Sequence, residues 1–143
     1  MWQHVVPDLL KSRYPFLLVE LLGFGGSSKP IDPPKYNYKQ QANSIVQILD
    51  RESVDNKVVP IGHDWGSATC QRLYLYHKSR CIGLVLLSLC YQIPTTTPFD
   101  LDKANQETAR RFGYPQWEYW NFFTVPDAPD LLKKHADRFY KIM

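Results

Sequence analysis

The stretch VVPIGHDWGSATC, residues 58–70, joins a short apolar run to a helical pattern through Gly62, His63, Asp64, Trp65 and Gly66. A buried carboxylate without a partner costs free energy, so an aspartate directly after an apolar strand requires an explanation. An aspartate with a glycine two positions away on either side, between a strand and a helix, has the pattern of a nucleophile elbow. Glycines at these positions allow strand and helix to pass each other without a clash. The stretch therefore predicts a reactive Asp64 at the carboxyl end of a parallel strand.

The chemistry expected of Asp64 follows from its place before a helix. The helix dipole favours the ionised carboxylate, which needs no neighbouring base to attack carbon, whereas a serine would. The residue type thus indicates attack on a saturated carbon, with an alkyl–enzyme ester as the product. The alternative is that Asp64 caps the helix, although capping explains neither glycine. His63 is interpreted as structural, and the divergence of adjacent side chains argues against a metal site at residues 63 and 64.

Apolar periodicity along the rest of the chain predicts an α/β fold. Strands are predicted at residues 15–22, 57–62 and 81–89, and helices at residues 2–12, 38–53 and 65–77. This alternation is typical of a parallel sheet with helical crossovers. Residues 104–142 have a helical and unusually aromatic pattern. We therefore expect a sheet core over residues 1–91 and a helical module over residues 92–143.

Composition excludes several classes of protein. Hydrophobic residues make up 44% of the 143 residues and charged residues 22%, which is typical of a globular chain. The net charge of +3 is spread along the sequence, without the basic clusters that nucleic-acid binding requires. The apolar run at residues 16–26 is too short for a transmembrane span and contains Glu20. His4, Asp8 and Lys11 interrupt the region where a signal peptide would be apolar.

The cysteines and the glycine-rich loop predict neither disulfides nor a cofactor. Cys70, Cys81 and Cys90 form no CxxC pair and are odd in number, so we expect reduced core thiols in a cytoplasmic protein. The loop at residues 21–28 lacks the third glycine of a dinucleotide-binding fingerprint, because position 28 is Ser28. No cofactor is therefore expected.

Four segments, in order along the chain, resemble the soluble epoxide hydrolases of the α/β-hydrolase superfamily. They are VELLGFGGSSKP (19–30), IGHDWGS (61–67), GLVLLSLCYQIP (83–94) and FGYPQWEYWNFFTVPDAP (112–129). The resemblance implies a mostly parallel sheet with a helical cap over the active site. It also implies that Asp64 is the nucleophile, that the backbone N–H of Trp65 is half of the oxyanion hole, and that Tyr119 is one of two cap tyrosines that hold and protonate the epoxide oxygen. The alternative for Tyr119 is a core aromatic.

The family pattern also has parts that these 143 residues do not contain. An H-G-x-P loop with a second oxyanion donor is absent, and His4, His77 and His135 fall in the wrong segments to match the catalytic base. The family's strand order places a further strand between residues 15–22 and 57–62, so both would have an unpaired edge. The resemblance thus implies a partial α/β-hydrolase fold, with a parallel sheet core lacking several strands and part of a helical cap.

The function expected from these observations is that of an epoxide hydrolase fragment without full turnover. Its partner would be a small-molecule epoxide or a related apolar substrate, opened by Asp64 while Tyr119 protonates the oxygen. One alternative is a haloalkane dehalogenase, in which the indole N–H of Trp65 would hold the departing halide. Another is a non-catalytic binding protein built on a remnant of the fold.

Overall fold

The computed structural model describes residues 2–12 and 14–142, and the chain forms two compact units, Met1–Ile93 and Pro94–Met143. The regular elements of the first unit are α1 (Val6–Lys11), α2 (Tyr38–Arg51), β1 (Ile61–His63), α3 (Trp65–Tyr76) and β2 (Val85–Leu87). Single 3-10 turns lie at Trp2–His4, Pro33–Tyr36 and Lys78–Arg80. The second unit consists of four α-helices, α4 (Leu101–Phe112), α5 (Tyr119–Thr124), α6 (Ala128–Lys134) and α7 (Ala136–Ile142).

The helices agree with the sequence pattern where no proline or glycine interrupts it. The helices predicted at residues 38–53 and 65–77 are confirmed as α2 and α3. The helix predicted at residues 2–12 is divided, because Pro7 lies in the first turn of a separate helix, α1, where its missing N–H is tolerated. The helical stretch predicted over residues 104–142 consists of four helices, and α4 ends at Gly113 with a left-handed φ of 85°.

The sheet is parallel, as predicted, but short. Strands β1 and β2 pair in register with Ile61 opposite Val85 and His63 opposite Leu87. An isolated parallel bridge joins Val58 to Cys81, upstream of the sheet. Pro60 lies between this bridge and β1, and its nitrogen has no proton to donate to the ladder. The strand predicted at residues 57–62 is therefore reduced to three residues, and that at residues 81–89 is likewise reduced to β2.

Residues 15–22 do not form the predicted strand. The structure assigns neither helix nor strand there and exposes Phe16, Leu17 and Leu18. A strand is stable only beside a hydrogen-bonded neighbour, and the sheet of the described residues contains β1 and β2 alone. Residues 15–22 thus have the composition of a strand, but among the described residues they have no neighbouring strand with which to pair.

Strands β1 and β2 are not buried on both faces. The side chains of Ile61 and Val85 are 44% and 40% exposed. Helix α3 packs against both strands, and it covers the face on which Gly62 is buried. Because side chains alternate across a strand, Ile61 and Val85 point to the other face and stay exposed.

Helices α2 and α3 pack against each other around a small core. Ala42, Leu73 and Cys81 are buried at its centre. Helix α2 begins at an effective N-cap, since the side-chain oxygen of Asn37 accepts hydrogen bonds from the backbone N–H groups of Lys39 at 2.9 Å and Gln40 at 3.3 Å. The predicted amphipathic helix thus supports the helix that follows the elbow.

Gln71 is fully buried in α3 and fixes the chain that follows β2. Its Nε2 donates a hydrogen bond to the carbonyl of Cys90 at 2.9 Å, and its Oε1 accepts one from the N–H of Gln92 at 2.6 Å. A buried amide needs partners at both ends. Gln71 finds both on the backbone of residues 90–92 and holds this segment against α3.

The three cysteines are free, as predicted, but they differ in environment. Cys81 is buried and Cys70 is half-buried, whereas Cys90 is exposed, so the prediction of a core thiol at Cys90 is wrong. Burial raises the pKa of the Cys70 thiol to about 11. Burial also raises the pKa of Cys81, against the opposing charge of Arg80.

We expect one fast-reacting thiol at pH 8, Cys90. The thiolate is the reactive form, and a raised pKa keeps Cys70 and Cys81 protonated, so both should react at least about tenfold more slowly. Raising the pH towards 11 should accelerate Cys70. Titration with a chromogenic disulfide measures the phases, and Cys90→Ala should remove the fast one. A fast phase that persists in this variant would contradict the assignment.

In the second unit, a buried asparagine connects α4 to the start of α5. The Oδ1 of Asn105 accepts a hydrogen bond from the N–H of Trp117 at 2.8 Å, and its Nδ2 donates to Glu118 at 3.2 Å. The aromatic residues around α5 contact one another edge to face and are partly exposed. They therefore form a surface cluster in this unit and not an enclosed core.

Candidate active site

Asp64 lies at the junction of β1 and α3 in a backbone conformation that side chains rarely adopt. Its φ is 52° and its ψ is −125°, outside the regions that non-glycine residues normally occupy. Such a conformation costs about 1–3 kcal/mol and persists only where the surroundings impose it. Here the N–H of Asp64 donates to the carbonyl of Leu87 at 3.0 Å, and its own carbonyl accepts from the N–H of Ser67 at 2.8 Å. Strand β2 and the first turn of α3 thus hold the strained residue from both sides.

Gly62 allows the strand end and the helix start to cross closely. A Cβ at Gly62 would lie 2.5 Å from both the carbonyl oxygen of Gly66 and the backbone nitrogen of Ser67. Real Cβ atoms are essentially never this close to backbone, so no other residue fits at Gly62 without a shift of the helix. A Cβ at Gly66 would meet no atom within 4 Å. The prediction that both glycines serve the crossing is therefore right for Gly62 and wrong for Gly66.

Ser67 is a site residue that the sequence pattern did not identify. Its buried hydroxyl lies 2.8 Å from the carbonyl oxygen of Gly62 and 3.1 Å from that of Leu87, and it accepts a hydrogen bond from the N–H of Leu87 at 3.3 Å. The hydroxyl has one proton, so it donates to one of the two carbonyls at a time. Ser67 connects α3 to both strands directly beneath Asp64. Its only signal in the sequence is a small polar residue in the first turn after the elbow.

The carboxylate of Asp64 is exposed and accepts no capping hydrogen bond from α3, although Asp64 occupies the N-cap position. The alternative of a purely capping aspartate therefore lacks the hydrogen bond that defines it. Trp65 is the first residue of α3. The carboxylate is thus accessible beside the positive end of a helix dipole.

Tyr38 is an electrostatic neighbour of Asp64 and of Arg72. Burial raises the pKa of Tyr38 at the start of α2, the charge of Arg72 lowers it, and the charge of Asp64 raises it. Tyr38 therefore lies within electrostatic range of both the Arg72 guanidinium and the Asp64 carboxylate. The guanidinium of Arg72 also donates to the carbonyl of Gln92 at 3.1 Å. The periodicity of residues 38–53 indicated only packing for Tyr38, so no feature of the sequence predicted this neighbourhood.

Tyr119 is the first residue of α5 in the second unit. Its ring contacts the ring of Phe123 edge to face, with centroids 5.7 Å apart, and 44% of the residue is exposed. The structure gives its hydroxyl no hydrogen-bond partner among the residues described. The phenol is thus accessible within an aromatic cluster rather than enclosed in a core.

The histidines have distinct local settings. His63 ends β1, and His77 follows α3 with its Nε2 2.8 Å from the side-chain oxygen of Asn43 on α2. His4 contacts the neighbouring Gln3, and His135 follows α6. Over the described ranges, no three or more His, Cys, Asp or Glu side chains are grouped to hold a metal ion.

No helix in the described part of the chain has the length and apolar content to cross a membrane.

The sequence is similar to a protein family and to individual enzymes. A family model for the alpha/beta hydrolase fold matches residues 1–135. The chain is 25% identical to a bifunctional epoxide hydrolase 2 of Sus scrofa over 143 residues, covering 98% of the chain and 24% of that protein. It is 31% identical to epoxide hydrolase B of Mycobacterium tuberculosis over 88 residues, covering 62% of the chain and 24% of that protein.

A dehalogenase is also similar to the chain. A fluoroacetate dehalogenase of a Burkholderia species is 30% identical over 147 residues, covering 99% of the chain and 44% of that protein. The chain thus spans about a quarter of the length of the two epoxide hydrolases and less than half of the dehalogenase. No solved structure gives a significant match.

Proposed function

This chain belongs to the α/β-hydrolase fold family, and from that premise we propose that Asp64 is a nucleophile that opens epoxides through an alkyl–enzyme ester. The similarity to epoxide hydrolases supports the choice of substrate class. The observation on which the proposal mainly rests is the strained backbone of Asp64, with φ at 52°, at the end of β1. Strain of this kind is concentrated at functional sites, and here the strained residue carries an exposed carboxylate.

The proposed first step forms one bond and breaks another. A carboxylate oxygen of Asp64 attacks a ring carbon of the epoxide from the side opposite the ring oxygen. The new carbon–oxygen ester bond forms as the ring carbon–oxygen bond breaks, and the electron pair goes to the ring oxygen. Tyr119, in the unit that we interpret as part of a cap, gives its phenolic proton to that oxygen. The products are a hydroxyalkyl ester on Asp64 and a phenolate on Tyr119.

The proposed second step hydrolyses the ester, and these 143 residues have only part of what it needs. A base must deprotonate a water molecule, whose oxygen adds to the carbonyl carbon of the ester. The oxyanion of this tetrahedral intermediate would be stabilised by the backbone N–H of Trp65, and its collapse would release the diol and restore the Asp64 carboxylate. Loss of a single oxyanion donor costs a factor of about 10²–10³ in rate. The sequence has no H-G-x-P motif, and none of its four histidines matches the base of the family. We therefore expect the reaction of this chain to stop at the ester.

Incubation with an aryl epoxide such as styrene oxide tests this expectation. With the exposed thiol removed by Cys90→Ala, we expect one equivalent of covalent adduct per chain, seen as an intact-mass increase equal to the mass of the epoxide, and no accumulation of diol above background. Repeated turnover to diol by the purified chain would contradict a reaction that stops at the ester. Absence of any adduct would contradict the nucleophile itself and favour a non-catalytic binding protein.

A haloalkane or haloacid substrate is the second candidate, supported by the similarity to a fluoroacetate dehalogenase. The same attack by Asp64 would displace a halide, which leaves without a proton. The two candidates differ in their need for Tyr119. Tyr119→Phe should slow labelling by an epoxide and leave labelling by a haloalkane unchanged, and halide release without any epoxide adduct would favour the dehalogenase.

A further inference from the structure

A second strained residue, Ser88, lies beside Asp64 at the carboxyl edge of the sheet. Its φ of 68° is in the left-handed region, which residues other than glycine rarely adopt. Ser88 directly follows β2, as Asp64 directly follows β1. The strands are parallel, with His63 opposite Leu87, so the next position in this register sets Ser88 opposite Asp64. Because neighbouring strands lie about 4.8 Å apart, the two strained residues are adjacent on one edge of the sheet.

Hydrogen bonds on both sides of Ser88 hold it in this conformation. Before it, the carbonyl of Leu87 accepts from the N–H of Asp64 at 3.0 Å. After it, the buried side chain of Gln71 holds the backbone of residues 90–92 against α3. Backbone strain persists only where the surroundings impose it, and these contacts meet that condition. Ser88 thus has a fixed position, tied to the same elements as Asp64.

Strain at a helix end has an ordinary explanation, and Ser53 is an example. This exposed serine has a φ of 55° and follows the C-cap of α2, where a left-handed residue ends many helices. Ser88 follows a strand, so no helix end accounts for its φ. It is exposed, and its hydroxyl has no hydrogen-bond partner among the residues that the structure describes. A rigidly placed hydroxyl is therefore available to a ligand beside the exposed carboxylate of Asp64.

We propose that Ser88 determines substrate specificity, through a hydrogen bond from its hydroxyl to an alcohol substituent on the epoxide that Asp64 opens. A serine hydroxyl has one proton to donate and two lone pairs that accept, and an alcohol has the same. The two groups can therefore pair in either direction. An alkyl substituent instead displaces water and leaves the serine hydroxyl without a partner, which is unfavourable. The inference rests on the proposed function, in which Asp64 is the nucleophile.

Glycidol and 1,2-epoxybutane test this preference, because they differ only in a hydroxyl in place of the terminal methyl group. Intact mass and peptide mapping of the Cys90→Ala chain measure the rate at which each epoxide labels Asp64. Ser88→Ala should lower the ratio of the glycidol rate to the epoxybutane rate about three- to tenfold, as expected for the loss of one hydrogen bond. An unchanged ratio, with both epoxides still labelling Asp64, would overturn the role of Ser88 and leave the nucleophile intact. Absence of labelling by both epoxides would overturn the nucleophile, and this inference with it.

Three further variants separate the hydroxyl from the backbone strain. Ser88→Gly also removes the hydroxyl but relieves the strain, so it should lower the ratio as far as Ser88→Ala does. Ser88→Asn keeps a hydrogen-bonding side chain and tolerates a positive φ, so it should keep the ratio within about twofold of the unmodified value. Ser53→Ala is the matched control, which removes an exposed serine of similar φ at a helix end and should leave the ratio unchanged. An unchanged ratio in Ser88→Gly, or an equal fall in Ser53→Ala, would overturn the assignment to the Ser88 hydroxyl.

Discussion

Replacing Gly62 with alanine is expected to destabilise the first unit by about 3 kcal/mol or more. The added Cβ would lie 2.5 Å from two backbone atoms, the carbonyl oxygen of Gly66 and the nitrogen of Ser67. Neither atom belongs to a flexible side chain that could move aside, so α3 as a whole must shift from β1. Overpacking of a rigid core typically costs 1–3 kcal/mol, and backbone clashes exceed this range. Displacement of Ser67 would also break its hydrogen bonds to both strands.

Gly66→Ala is the matched control for this prediction. It lies on the other side of Asp64, and its Cβ would meet nothing within 4 Å. Gly66 is helical, and alanine is favoured over glycine in a helix by up to about 1 kcal/mol. Urea unfolding should therefore show a large loss of stability for Gly62→Ala and an unchanged or increased stability for Gly66→Ala. Similar losses for the two variants would mean that the strand and helix do not cross as closely as Gly62 indicates.

The contrast between Gly62 and Gly66 shows how far the sequence could predict the site. The pattern around Asp64 places a strand end, a strained residue and a helix start correctly, because each depends on neighbours within a few positions. Which glycine is sterically required depends on the crossing geometry, which no pattern contains. The role of Ser67 was not predicted for the same reason, since its hydroxyl hydrogen-bonds to backbone groups on two different strands.

In the fold as well, the features that could be predicted depend on nearby residues, and those that could not depend on long-range packing. Helices α2 and α3 follow from apolar spacing and from an Asn37 cap, which are local features. Residues 15–22 have the composition of a buried strand, but pairing requires a neighbour that composition does not supply. Exposure of Ile61 and Val85 likewise depends on what covers the second face of the sheet. The neighbourhood of Tyr38 and Asp64 arises only when α2 packs on α3, so periodicity alone could not find it.

Replacing Asp64 with asparagine is expected to reduce covalent labelling by an epoxide at least about 10³-fold. A neutral amide is a poor nucleophile, and loss of the nucleophile removes the covalent step altogether. Asparagine tolerates a positive φ better than most residues, so the elbow should keep its backbone conformation. Intact mass spectrometry measures the labelling rate. An unchanged circular dichroism spectrum would show that the lower rate does not come from a loss of the fold.

Asp127→Asn is the matched control for the loss of labelling. Asp127 is also exposed, also occupies an N-cap position, before α6, and also makes no side-chain capping hydrogen bond. It differs from Asp64 in its ordinary backbone, with φ at −92°. This variant should label at the rate of the unmodified chain. Equal loss of labelling in both variants would indicate unselective esterification of exposed carboxylates.

The exposed thiol of Cys90 is a competing site for alkylation and must be removed before the adduct is assigned. The Cys90→Ala background serves this purpose. An ester on Asp64 is cleaved by hydroxylamine, whereas a thioether is not, so loss of the added mass on hydroxylamine treatment separates the two kinds of adduct.

Peptide mapping by tandem mass spectrometry of the epoxide-treated Cys90→Ala chain tests the role of Asp64 as the nucleophile. That role predicts a single hydroxylamine-sensitive adduct, on Asp64 in the peptide that contains residues 61–67. An adduct on another residue, or a complete absence of modification at Asp64, would contradict it.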